Sequence, residues 1–119
     1  MKTIKAILIK ILGRRQYLTL LSRWYLISFK LGWLRRNSAY RTHYFVRNLI
    51  PAGATVLDIG ANLGYYSTEF ARLTGPHGKV IAIEPIPLYR SILENNIRPW
   101  PQVEVWPYAL GLQEGIISM

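Results

Sequence analysis

Thr55-Val56-Leu57-Asp58-Ile59 is a short apolar run closed at both ends by Gly53 and Gly60, and it sets the fold class of this chain. A run of that length between glycines suits a β-strand buried on both faces, as the strands of parallel sheets are. Tyr65 to Leu73 reads as a helix, Gly75-Pro76-His77-Gly78 as a turn, and Lys79 to Glu84 as a second strand. Pro85 ends that strand. Pro87 suits the first turn of a helix through Leu88, Ile92, Leu93 and Asn96, and Pro99 and Pro101 precede a third strand at Val103–Trp106. The order β-α-β-α-β predicts an α/β, Rossmann-like parallel sheet with right-handed crossovers, of which residues 51–119 carry the first half.

Where the first strand hands over to its helix, the sequence is Asp58-Ile59-Gly60-Ala61-Asn62-Leu63-Gly64. Open α/β sheets bind ligands at that crossing. Glycine lets the backbone turn tightly and lets a ligand approach its amides, while the next helix offers unsatisfied N–H groups. A pyrophosphate binder would show G-x-G-x-x-G. Here the glycines stand four apart behind an acid, which suits a ligand carrying an ammonium and a sulfonium and disfavours a nicotinamide dinucleotide. Glu84, closing the second strand, can accept two hydrogen bonds from a ribose diol. Each residue has an ordinary reading by itself: a turn acid, two turn glycines, a strand-end charge. Their joint order on β-loop-α-β points to a nucleoside site.

With these residues in place, the chain from about Ile50 to Ile117 resembles the FkbM-type class I methyltransferases. The likeness rests on Val56 to Ser67, on Gly78 to Pro87, on the Leu93-Glu94-Asn95-Asn96 helix and on Tyr108-Ala109-Leu110-Gly111, in that order. One position departs: Ile86 stands where the family often has a small polar residue such as Asn. The resemblance implies S-adenosylmethionine as cofactor and methylation of a hydroxyl oxygen on a sugar or natural product, so the expected partner is a hydroxyl-bearing small molecule or glycan. It also implies that Asp58, Gly60, Asn62 and Gly64 hold the methionine end, that Glu84 binds the ribose, and that Ala109 and Leu110 lie near the adenine. It gives no catalytic residue. The family's later strands, with the acceptor pocket and any base, have no counterpart before Met119, so a truncated enzyme is expected, with activity of the short chain open.

Residues 1–50 read differently, as a basic helical extension. Ile4, Ile7, Leu8, Ile11 and Leu12 follow a helical stripe, with Gly13 as its stop. Tyr17, Leu20, Trp24, Ile27, Leu31 and Leu34 form a second seam, and Asn37 or Ser38 can cap a third helix running to Ile50, ended by Pro51. Of the 15 Lys and Arg residues, eleven lie in residues 1–48, a stretch that holds none of the six carboxylates. Charges recur too often for a spanning helix or a signal peptide. Two readings compete for residues 1–36: a helical cap over the sheet, or an amphipathic element peripheral to a membrane. The arginines could also meet nucleic acid, but no recognised binding signature accompanies them. With no cysteine, disulfides and thiolate ligands are excluded, no metal is expected, and the cytoplasmic side is the default. A noncatalytic membrane- or partner-binding fragment that keeps only the cofactor-binding half-fold is the alternative to the enzyme.

Overall fold

The computed structural model describes residues 2–112 and 114–116, without the side chain of Lys2. The chain divides into two compact units, Met1–Tyr44 and Phe45–Met119.

In the first unit, α1 (Lys2–Leu12) and α2 (Arg14–Lys30) are separated by Gly13 at φ 78°. The helical seam read from the sequence runs on to Leu34, yet α2 stops at Lys30. The cause is Gly32, which takes φ 78° just past the helix. Its N–H donates to the Phe29 carbonyl, and the Trp33 N–H donates to that of Ser28, both at 3.0 Å. These paired reverse bonds satisfy carbonyls the helix leaves unpaired and commit the chain to leaving it. The expected third helix is likewise broken. Asn37 accepts from the Ala39 N–H to cap a 3₁₀ turn at Ser38–Tyr40, which leads into α3 (Arg41–Phe45). A second 3₁₀ turn, Val46–Asn48, follows in place of a continued helix to Ile50.

An aromatic stack forms the interior of this unit. Phe29 lies 3.8 Å from the His43 ring and 4.2 Å from the Tyr44 ring, centroid to centroid. The Tyr25 hydroxyl meets His43 Nδ1 at 2.6 Å, and the Tyr44 hydroxyl donates to the Phe29 carbonyl at 2.9 Å. Phe29 and His43 are buried by these contacts.

The second unit holds β1 (Thr55–Ile59), α4 (Tyr65–Thr74), β2 (Lys79–Ile83), α5 (Pro87–Ile97) and β3 (Val103–Trp106). The strands pair in parallel in the order β1-β2-β3, with Ile59 opposite Ile83 and Ile83 opposite Trp106. This is the α/β, Rossmann-like arrangement expected from the order of elements. Ala71 from α4 and Leu93 and Ile97 from α5 form one core with Val80, Ala82 and Val103. Since those strand residues alternate along the chain, both helices lie on one face of the sheet.

That arrangement corrects the expectation for β1. The strand is not buried on both faces: Leu57 and Ile59, on the face away from α4 and α5, are 51% and 59% exposed. A sheet wound in one direction, strand after strand, places its crossover helices on one side; on the other side Ile83 of β2 is buried while Leu57 and Ile59 of β1 are not.

Candidate functional site

The site assembles at the carboxyl ends of β1 and β2. Because Asp58 pairs with Ala82 and Glu84 lies two residues beyond Ala82, the two acids point to the same, helix-covered face of neighbouring strands. The Gly60 and Ala61 N–H groups both donate to the Ile83 carbonyl, at 2.9 and 3.0 Å, which folds the loop across the end of β2. Asn62 then adopts φ 53°, a left-handed conformation that asparagine tolerates better than most side chains. In that conformation its N–H donates to Glu84 Oε2 at 2.8 Å. Glu84 Oε1 accepts from the Ile86 N–H at 2.9 Å. Glu84 is thus held from both sides, 4% exposed, and joins the loop to the turn after β2. Arg90 reaches back from α5 to the Pro85 carbonyl at 3.1 Å and holds the same turn.

Gly64 has φ 88° at the start of α4, and a Cβ there would come within 2.8 Å of Leu93 Cδ1. Glycine is required both by the backbone angle and by the close approach of α5. Asn96 Nδ2 donates to the Leu63 carbonyl at 2.8 Å and fixes the loop to α5 from the other end. At Gly60, also with positive φ, a Cβ would meet nothing within 4 Å, so the space beside the loop is open.

Burial pushes the Asp58 carboxyl above the usual aspartate range, while a hydrogen bond from the Ser67 hydroxyl to Oδ2, at 2.6 Å, opposes that rise. Ser67, buried on α4, is a site residue beyond those the sequence points to. Nothing local marks a serine nine positions away for that role, which only the packing of α4 on β1 creates.

The fold brings together Asp58, Gly60, Asn62, Gly64 and Glu84. Ala109 and Leu110 lie in exposed, irregular chain after β3. Among the described residues, no group of three or more His, Cys, Asp or Glu side chains is placed to hold a metal ion. His77 is exposed in its turn, and His43 belongs to the aromatic stack of the first unit.

The donors and acceptors present fit S-adenosylmethionine. Asp58 would offer a carboxylate to a cationic amino group, and Gly60 leaves open space. Each Glu84 oxygen accepts one backbone bond and retains a second lone pair for a hydroxyl.

Comparison with known proteins agrees with this chemistry. The family model for protein-L-isoaspartate(D-aspartate) O-methyltransferase (PCMT) matches residues 4–105. The chain is 37% identical over 54 residues to the protein-L-isoaspartate O-methyltransferase of Caenorhabditis elegans, which is 45% of this chain and 24% of that protein. It is 42% identical over 67 residues to the AMB antimetabolite synthetase AmbE of Pseudomonas aeruginosa, 56% of this chain and 3% of that protein. The chain therefore spans less than a quarter of the length of either relative. Among solved structures, the S-adenosylmethionine-dependent O-methyltransferase of Thermotoga maritima superposes with a TM-score of 0.53 at 23% identity, over 57% of this chain and 28% of that one, and shares the fold. These matches agree with a methyltransferase family, as the sequence suggests; the FkbM type is carried no further by them. By the span of its match, the chain belongs to the protein-L-isoaspartate(D-aspartate) O-methyltransferase family, whose methyl donor is S-adenosylmethionine.

Proposed function

We propose that this chain forms the donor-binding half of an O-methyltransferase. The observation that carries the reading is the hydrogen bond from the Asn62 N–H to Glu84, which draws the glycine loop of β1 onto the acid that ends β2. Asp58 takes the ammonium of the methionine end, and Gly60, Asn62 and Gly64 shape the loop around it. Glu84 takes the ribose hydroxyls, and Ala109 and Leu110 flank the adenine. When bound, S-adenosylmethionine supplies a methyl group on a cationic sulfur that an acceptor oxygen attacks in line. The chain's own residues hold and orient that group, so positioning is their contribution to rate.

For the acceptor, the family and its similarity to protein-L-isoaspartate O-methyltransferases favour an isoaspartyl carboxylate in a protein. The blocks shared with FkbM-type enzymes favour instead a hydroxyl of a sugar or natural product. Transfer of tritiated methyl from S-adenosylmethionine separates them. An isoaspartyl peptide would gain a base-labile methyl ester, whereas a glycan or natural-product hydroxyl would gain a base-stable ether. The expected result is label on the isoaspartyl peptide that is released by mild base. Donor binding without transfer to either acceptor would overturn the enzyme reading in favour of a noncatalytic fragment.

A further inference from the structure

The first unit carries two apolar stripes that its own packing does not use. On α1, Ile4, Ile7, Leu8 and Ile11 recur at helical spacing and are all exposed, with Ile11 at 73%. Lys5 and Lys10 fall off that stripe. Along α2, Leu20, Trp24 and Ile27 are exposed in the same manner, followed just past its end by Leu31 and Trp33, and the two tryptophans are 57% and 69% exposed. Arg23 and Lys30 directly precede Trp24 and Leu31 and are exposed as well. Their aliphatic stems can lie along apolar surroundings while the charged ends stay in water.

We infer that this unit docks on an anionic lipid surface, with the two stripes in the headgroup and acyl boundary and the lysines and arginines at phosphate level. The choice of occupant rests on charge. Residues 1–44 hold ten Lys and Arg and no carboxylate, so a second copy of the same surface would be repelled. A nucleic acid would satisfy the cations yet leave tryptophan, isoleucine and leucine against phosphate and water. An anionic bilayer satisfies both properties together, and tryptophan favours its interface. Among the described residues no helix is long and apolar enough to cross a membrane, so the contact is peripheral.

The test is flotation of the full chain with lipid vesicles, either pure phosphatidylcholine or with roughly 30% phosphatidylglycerol added. Binding to the anionic vesicles alone is expected, weakened at least about tenfold when NaCl is raised from ~0.1 to ~0.5 M. Joint Arg23→Glu and Lys30→Glu exchange at exposed positions should weaken binding by about tenfold or more. Trp24→Ser with Ile27→Ser should do the same through lost apolar contact. Circular dichroism and thermal unfolding report whether each variant stays folded, and the charge reversal stands if the apolar pair disturbs α2. Failure to float with anionic vesicles at low salt would overturn the inference. Equal flotation with both vesicle types, binding unaffected by the charge reversal, preference for a DNA duplex over vesicles, or self-association that replaces vesicle binding would each do so as well.

Discussion

The two units of this chain use apolar residues in opposite ways. In the second, leucine, isoleucine and valine close a core between two helices and one face of a parallel sheet, and the acids stand at strand ends where that core stops. In the first, an aromatic stack around Phe29 and His43 is buried while many aliphatic residues of α1 and α2 point to water, among cations and without a single carboxylate. Apolar residues that hold a fold together and apolar residues left facing water leave different marks. The former is interleaved with the acids and glycines of a site, whereas the latter is bordered by one sign of charge.

Substitutions in each unit test that contrast. The largest effect is expected at Leu93, fully buried between α5 and the sheet, where Leu93→Ala should cost about 3 kcal/mol in denaturant unfolding. Leu57→Ala, on the exposed face of β1, should cost less than about 0.5 kcal/mol. Equal costs at the two positions would mean that the exposed face is packed in solution.

A smaller effect is expected at Glu69, a buried acid on α4 that accepts from Arg47 Nε at 2.8 Å and from Arg72 Nη2 at 2.7 Å. Desolvation raises its pKa, but the hydrogen bonds and charges of Arg72 and Arg47 outweigh that and hold it below the ordinary value of 4.5. A carboxyl depressed in the folded state contributes stability that is complete above its unfolded pKa and lost as pH falls through the folded one. Glu69→Gln should therefore cost about 2 kcal/mol near neutrality and progressively less in acid, as followed by unfolding at several pH values. Asp58 has the opposite sign. Its raised pKa means that stability present below the unfolded value is lost as pH rises through the folded one.

The smallest effect belongs to the first unit. Asn37→Ala removes the acceptor for the Ala39 N–H at the 3₁₀ turn and should cost about 1 kcal/mol or less, read as a small drop in melting temperature.

Much of the second unit was legible in the sequence because its signals are local. Glycines bracket β1, Pro87 opens α5, and apolar runs of strand length lie between, so the strands at Thr55–Ile59 and Val103–Trp106 fall where the pattern puts them. Asp58 and Glu84 were readable because the order β-loop-α-β brings two strand ends together. What the sequence hid is tertiary. The Ser67 bond to Asp58 depends on helix packing, and the exposure of Leu57 and Ile59 depends on which side the helices take. In the first unit, continued periodicity through Leu34 masked the stop at Gly32, whose left-handed turn outweighs the apolar pattern. His43 offered no sign of its burial beneath Tyr25 and Phe29.

Calorimetric titration of the chain with S-adenosylmethionine directly tests the proposed binding at the acids that end β1 and β2. One binding site per chain is predicted, with affinity falling as pH is lowered through the raised pKa of Asp58. Asp58→Asn and Glu84→Gln should each weaken binding at least about tenfold, or about 1.4 kcal/mol, with cooperative thermal unfolding retained. Absence of binding by the folded chain, or unchanged affinity in both variants, would contradict it.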